Sequence, residues 1–480
     1  MTPNARVLHS ARVKKLTKFL SSPHAPARAW YNRRVSYDLI IIGGGVTGAG
    51  VARDAVLRGL KVALIERAEP GGATTAASTH LIHGGVRYLL YDRLTTHATC
   101  WDSGHIVRTA GDLLNRLPIV WPVYRGHSRG LETVETLLEE YDQFQPMKYG
   151  RPHLRLSAET CLKVVPGLKA EGLLGALVFD EWWVDAQRLA ARTLDSARRA
   201  GATALTRTPV DALLRENGRV VGVRAGGRDL RAKMVVNAAG PWVDRVAGLA
   251  GARLPLRLMK GTHLIWKDPK IVPVGLLVEA VDRGRYVFVV PSPLGTWVGP
   301  TDIPGPEDPD ATRTTPDEID YLLRSVKLYF KDWPAAPDAT IVGSRPILGQ
   351  PGAEKLLSRD FEVFDHEARD GVPGLLTIGG GKMSDYRVMA EAAVDAACAK
   401  LGVSARATTQ DFTLDGKPVG AIPDYPRPSR ALKHFLRRHP RLREAHALAY
   451  LGAAFGAHLA RRAAGLRPLA DEDEFRRRYA

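Results

Sequence analysis

Cysteine is nearly missing from this chain: there are three in 480 residues, Cys100, Cys161 and Cys398. They are widely separated and odd in number, which excludes a disulfide framework and a CxxC metal or redox pair. This fits a reducing compartment, and a cytoplasmic location is expected. Long apolar runs are missing as well. No stretch is long enough to span a bilayer as a helix, and the amino-terminal segment lacks the apolar core of a secretory signal. There is no internal repeat and no metal-ligand spacing, so no metal is expected. Residues 1–36 contain no acid, against eight basic residues. Residues 427–480 hold thirteen basic residues against five acidic ones. The formal net charge of +17 therefore resides in the two ends, +8 in each, and the span 37–426 is close to neutral at +1. A basic end suits an anionic lipid surface or nucleic acid. The near-neutral body and the lack of interleaved aromatic and basic strands argue against nucleic acid as a partner, and against an RNA-modifying protein.

What is present begins with an Ile-rich strand at residues 37–42 that runs into Gly43-Gly44-Gly45-Val46-Thr47-Gly48. The pattern then predicts a helix over 49–60 and a second apolar strand over 61–65, ending at Glu66. This is the strand, glycine loop, helix, strand and acid order of a dinucleotide fold. Gly43 permits the tight turn, Gly45 lets the backbone approach a pyrophosphate, and Gly48 lets helix and strand pack closely. The helix N-terminus offers N–H groups and a positive dipole end to phosphates, and Glu66 can accept hydrogen bonds from ribose hydroxyls. The motif alone does not separate FAD from NAD. Two later segments do. A strand ends in Asn237-Ala238-Ala239-Gly240, small enough for close approach to a ligand. Another, at 375–378, enters Gly379-Gly380-Gly381-Lys382-Met383-Ser384 and a helix over 386–400, a turn suited to a flavin carbonyl. A cofactor held from both ends of the chain suits tightly bound FAD better than a shuttling nicotinamide.

The stretch Ala73-Thr74-Thr75-Ala76-Ala77-Ser78-Thr79-His80-Leu81-Ile82-His83-Gly84-Gly85-Val86-Arg87-Tyr88-Leu89 resembles the signature loop of FAD-dependent glycerol-3-phosphate dehydrogenases, within the glycine-oxidase-like flavoproteins. Trp183-Val184-Asp185, Lys260-Gly261-Thr262-His263, Gly299-Pro300-Thr301-Asp302, Gly343-Ser344-Arg345-Pro346, Ser358-Arg359-Asp360 and residues 380–387 are similar and follow in the same order. The resemblance spans roughly residues 36–400. It implies an α/β fold, with a Rossmann-like FAD domain interleaved with an antiparallel substrate sheet. It also implies that Thr74, Thr75, Ser78, His83, Gly84, Ala239, Gly240, Gly380, Gly381, Lys382 and Met383 join Gly43, Gly45, Gly48 and Glu66 around the cofactor. Arg87, Tyr88, His263, Thr301, Arg345, Arg359 and Lys382 would surround the substrate, with His263, Arg345 and Lys382 in catalytic roles. The chemistry agrees: a phosphate monoester needs several cationic donors, and arginine binds it in a bidentate way. His263 is the candidate base for a C2 hydroxyl. The implied partners are a phosphate-ester substrate, a quinone acceptor, an anionic membrane touched peripherally and a second copy of the chain. An oxidase that passes electrons to O₂, acting on glycerol phosphate, a 2-hydroxyacid or an amine, is the alternative. Where the family often has lysine this chain has His80, and Asp385 adds a negative charge beside the cations.

The expected organisation is a basic extension at 1–36, an FAD domain interleaved with a substrate domain over 37–406, and a basic, mostly helical region over 407–480. Helices are expected across 91–150, a return to the FAD domain across 151–235, and a substrate sheet mainly within 240–350, with strands at 263–266, 286–290 and 296–299 and a helix over 316–330. The segment 304–309 is expected to form a loop over the site.

Overall fold

The computed structural model describes residues 36–349, 360–421, 425–465 and 469–479. Arg359 and all but the last residue of the basic extension lie outside them.

Two sheets organise the molecule. The first has a parallel core in the order Leu375–Gly380, Arg228–Asn237, Ser36–Ile42, Val62–Ile65 and Thr203–Leu205, with Phe361–Asp365 antiparallel on its edge. The central strand reads as an unbroken apolar run because both of its faces are covered. Leu39 and Ile41 pack with Ala49, Ala52, Leu194 and Val394, from the helices Val46–Leu57, Ala186–Arg199 and Tyr386–Leu401. Ile40 and Ile42 face the other way, toward Leu213, Val220 and Val223 of an antiparallel pair that branches from Arg228–Asn237.

The second sheet has ten strands and is antiparallel except where Gly275–Glu279 meets Leu114–Tyr124. Its strands at Leu256–Trp266, Tyr286–Ser292 and Gly295–Gly299 extend those expected from sequence. The chain is thus an α/β protein with a Rossmann-like domain, an antiparallel second sheet and a helical carboxy-terminal region. Four strands of the second sheet come from before residue 185. Two of them, Leu154–Leu156 and Leu173–Val184, stand where a return to the first domain was expected. A third, Leu114–Tyr124, divides the expected helical stretch between the helices Arg93–Thr109 and Leu131–Asp142. Residues 407–421 are not helical. They are pinned by Arg53, which donates to the carbonyls of Thr409, Phe412 and Thr413.

The carboxy-terminal helices are Arg430–Arg438, Pro440–Ala463 and Glu472–Tyr479. The long one lies against Leu131–Asp142 and against the short helix Val86–Leu90. His458, fully buried, meets Glu132 at 2.8 Å and Glu139 at 3.3 Å. Glu132, Glu135 and His458 form a cluster that spacing in the sequence did not reveal. Its carboxylates already take Arg155 and Arg462, so it reads as an ion-pair joint between helices. No helix among the described residues is long and apolar enough to cross a membrane.

Candidate active site

One continuous cavity of about 1450 Å³ runs from the Gly43–Gly45 turn, between the two sheets, to the strand that carries Arg345. At its first end the glycines divide the work. A Cβ on Gly43, which has φ +104°, would sit 2.6 Å from the carbonyl oxygen of Ala238, and one on Gly48 only 1.9 Å from that of Gly43. These two close the turn against its neighbours. A Cβ on Gly45 would meet only the Thr75 hydroxyl, at 3.5 Å, so its backbone is open to the cavity. The helix that follows has no side-chain N-cap, and Val46 N–H donates to Thr75 Oγ1 at 3.3 Å. Glu66 accepts from Gly44 N–H at 2.5 Å and from Ala68 N–H at 2.8 Å, which fixes its carboxylate at the end of its strand. Thr74, Ser78, Ala239, Gly240, Gly380, Gly381 and Met383 line the same cavity. An open backbone, a helix N-terminus whose N-cap residue is a glycine and a fixed acid suit a dinucleotide pyrophosphate and ribose.

Beyond that end the cavity is lined by cations and by two neutral imidazoles. Arg87, Tyr88, His263, Arg345 and Lys382 all line the cavity. Arg345 donates to the carbonyl of Thr301 at 2.6 Å and lies 3.5 Å from Asp302. Lys382 lies 5.2 Å over the Tyr88 ring and 3.3 Å from Asp385. Although burial opposes its charge, Asp385, Tyr88 and Asp360 together hold its pKa above the usual lysine value. His263 is buried with Nε2 3.0 Å from Thr79 Oγ1, and Nδ1 has no partner among the described residues. Burial first, and then the charge of Arg345, push its pKa down to about 3. His83 is held at about 3 in the same way, by burial and then by Lys382 and Arg87.

A model of the FAD dependent oxidoreductase family matches residues 38–387. The chain belongs to that family. It is 33% identical over 374 residues to the aerobic glycerol-3-phosphate dehydrogenase of Bacillus subtilis, covering 75% of this chain and 66% of that one. It is 32% identical over 414 residues to the Staphylococcus aureus protein of the same name, covering 82% and 73%. The chain thus spans roughly two thirds to three quarters of the length of these relatives. Its fold matches the glycerol-3-phosphate dehydrogenase of Bacillus halodurans, solved with FAD, with a TM-score of 0.63 at 25% identity over 90% of this chain and 80% of that one.

Within this flavoprotein two expected positions, Thr301 and Gly84, fall elsewhere. Thr301 is behind the wall: its hydroxyl donates to Glu318 and accepts from Thr262 N–H, and only its carbonyl reaches Arg345. Gly84 turns away from the cavity, where a Cβ would meet the Tyr141 hydroxyl at 2.2 Å and Cys100 Sγ at 2.3 Å. Arg359 lies outside the described residues. The departure at His80 is also off the cavity, since its ring accepts from Ala186 N–H and faces the Ala76 carbonyl. Asp385, by contrast, is directly engaged, accepting from the backbone N–H of Lys382 as well as pairing with its ammonium.

Several contributors gave little sign in the sequence. Glu181 lines the cavity and pairs with the fully buried Lys148 at 2.5 Å, accepts from Tyr141 at 2.7 Å and receives Gly84 N–H at 3.2 Å. Burial holds its carboxyl above the ordinary range in spite of these partners. The 304–309 segment leads into a clasp at the first end, where Asp310 takes Arg67, Arg245 and the Trp242 indole. The detectable signals were weak: Thr79 lies in the signature loop, and Glu318 occupies the capping-box position of the helix that begins at Pro316.

Proposed function

We propose that the protein oxidises sn-glycerol 3-phosphate to dihydroxyacetone phosphate and passes the electrons to a quinone at a membrane surface. The observation that carries this reading is the cavity lining, where Arg345 stands beside the buried neutral His263 and Lys382 and Arg87 stand beside the buried neutral His83. Three cations are more than a neutral amine would require, and they suit a phosphate dianion. FAD, when bound, supplies the two-electron acceptor. Gly43, Gly45, Glu66, Thr74, Thr75, Ser78, His83, Ala239, Gly240, Gly380, Gly381 and Met383 are the residues to hold it, with Gly48 and Gly84 supporting from behind. The arginines and Lys382 bind the phosphate and orient C2, while His263 takes the hydroxyl proton as the C2–H bond breaks. Substrate binding helps this base. Pairing of the phosphate with Arg345 cancels one of the two main causes that depress the His263 pKa, and so raises its basicity when it is needed.

Anaerobic spectroscopy tests the reading. The flavin band is expected to bleach with sn-glycerol 3-phosphate and not with glycerol, and persistence of the oxidised band with the phosphate ester would overturn the assignment. Stoichiometric hydrogen peroxide in air would favour the oxidase alternative. A quinone lives in the bilayer, so sedimentation with anionic liposomes at low salt and release at high salt are expected. A homodimer belongs to the same proposal and is read from the sedimentation velocity of the purified protein.

A further inference from the structure

We infer that Glu318 is a positioning residue of the substrate site: from behind the cavity wall it grips the side chains of Lys260, Thr262 and Thr301, and so fixes the backbone carbonyls against which the guanidinium of Arg345 lies. The inference rests on the proposed reading of Arg345 as a phosphate-binding cation. Arg345 Nη2 donates to the carbonyl of Thr301 at 2.6 Å and to that of Lys260 at 3.3 Å. The fit is close, since a Cβ on Gly261 would lie 2.0 Å from the same nitrogen and 3.0 Å from the Thr301 carbonyl oxygen. Arg345 has other contacts too, Asp302 among them, and the role of Glu318 adds to theirs. Both carbonyls belong to residues held by one buried carboxylate. Glu318 Oε2 meets Lys260 Nζ at 2.7 Å, and Oε1 accepts the hydroxyls of Thr301 and Thr262 at 2.8 Å each. Burial acts to raise the Glu318 pKa, but Lys260, Thr301, Thr262 and Thr315 together hold it below the ordinary range, so the acceptor is ionised.

The sheet does not fix these carbonyls by itself. Gly295–Gly299 pairs with residues 264–266, and Ile303–Pro304 with Met259 and Lys260, so Pro300, Thr301 and Asp302 lie between two ladders. Thr301 is tied back by its N–H, which donates to the Thr262 carbonyl at 3.1 Å, and by its hydroxyl, which accepts Thr262 N–H and donates to Glu318. Glu318 is itself anchored at the start of the helix Pro316–Lys327, where Thr315 N–H donates to its Oε2 at 3.1 Å. The stretches Lys260-Gly261-Thr262-His263 and Gly299-Pro300-Thr301-Asp302 are thus joined by one carboxylate from outside both, and Gly343-Ser344-Arg345-Pro346 supplies the guanidinium that they hold.

The test uses the full chain loaded with FAD and titrates inorganic phosphate against the flavin absorbance. Thr301→Val keeps the shape of the side chain and removes the hydroxyl through which Glu318 reaches that residue. It is expected to weaken phosphate binding roughly three- to tenfold, less than the loss of a charge-assisted hydrogen bond, because Arg345 is displaced and not removed. Glu318→Gln, which removes the charge, should weaken it at least as much. Thr301→Ser, which keeps the hydroxyl, should bind phosphate like the wild type. A double-mutant cycle then asks whether the effect passes through Arg345: in an Arg345→Ala background, Thr301→Val should cause no further loss. An unchanged affinity in Thr301→Val or in Glu318→Gln would overturn the inference. So would a Thr301→Ser variant as weak as Thr301→Val, or a full additional loss in the Arg345→Ala background, since either marks a role that does not act through the guanidinium. Should Glu318→Gln fail to fold, Thr301→Val carries the cycle alone. If Arg345→Ala itself binds phosphate as tightly as the wild type, the reading of Arg345 falls and the inference with it. If sn-glycerol 3-phosphate fails to reduce the wild-type flavin while the cycle behaves as expected, the proposed substrate falls and the role of Glu318 stands.

Discussion

At His263 two causes act in the same direction, burial and the neighbouring Arg345, and both disfavour the protonated imidazole. The ring is therefore neutral throughout the physiological range, and its basicity stays low until the substrate phosphate offsets the charge of Arg345. His263→Asn keeps the size and part of the hydrogen bonding but not the basicity. Single-turnover flavin reduction should slow by about 10²–10⁴-fold, the usual range for a lost general base. A variant reduced as fast as wild type would pass the role to another group. Arg345→Ala removes a charge-assisted donor from the substrate and should weaken phosphate-ester binding by about 1.5–3 kcal/mol, with FAD content retained. An unchanged KM would take Arg345 out of the site. Residues of this kind are legible in a sequence because their chemistry is scarce: an arginine or histidine beside a glycine turn has few reasons to be there. What the sequence does not give is the direction of a side chain. Thr301 belongs to the same run as the wall residue Asp302, but its hydroxyl is taken by Glu318, and that carboxylate arrives from a helix that begins fifteen residues later at Pro316.

Elements were easier to read where one pattern served one purpose. The unit of strand Ser36–Ile42, glycine turn and helix Val46–Leu57 was legible because each glycine meets a separate steric demand, and Gly45 is the one whose backbone faces open space. Gly45→Asp would put a carboxylate at that opening, adding repulsion to a clash with the pyrophosphate. The purified variant should be colourless, and stoichiometric FAD in it would remove this loop from the cofactor site. Leu114–Tyr124 was not legible, for a stated reason. It contains Pro118 and Pro122, and proline is normally kept out of interior strands because it cannot donate to the ladder. Here the second neighbour, Gly275–Glu279, pairs only with Ile119 and Val120, between the two prolines, so few donors are missed. A single sequence does not show which edge of a strand will be short of partners.

On the scale of the whole molecule the basic ends have to be divided. Among the described residues, nine of the twelve basic side chains after position 426 lie within ion-pair distance of a carboxylate, among them Arg427, Arg430, Lys433, Arg437, Arg461 and Arg462. Their charge is spent largely on holding the helices to the body. Residues 1–36 carry +8 with no acid in their own sequence. Deleting residues 1–36 should therefore abolish salt-sensitive binding to anionic liposomes, whereas removing the charge of Arg430 or Arg437 should leave it nearly intact. Equal losses from both changes would refute this division.

The buried histidines set the response of the same fold to acid. His83, His105 and His263 each have a pKa pushed down to about 3, first by burial and then by nearby cations. In the unfolded chain a histidine titrates near its ordinary value of about 6.5. Between those values the unfolded chain binds more protons than the folded one, so the contribution of the neutral rings is present above about pH 6.5 and is lost as the pH falls toward 3. Asp54 and Asp102 oppose this. Burial raises both to about 6, so they bind protons more readily in the folded state, and stability gains from them as the pH falls toward 4. Three larger shifts outweigh two smaller ones, and the Tm of the full chain should fall as the pH is lowered from 7 to 5. His105 separates this effect from the cavity, because it packs edge-on against Trp101 and does not line the site. His105→Gln, uncharged at every pH, should flatten the dependence of Tm on pH without changing the cofactor content. A Tm that rises between pH 7 and pH 5, or a His105→Gln profile as steep as the wild type, would show that these rings do not govern the acid response.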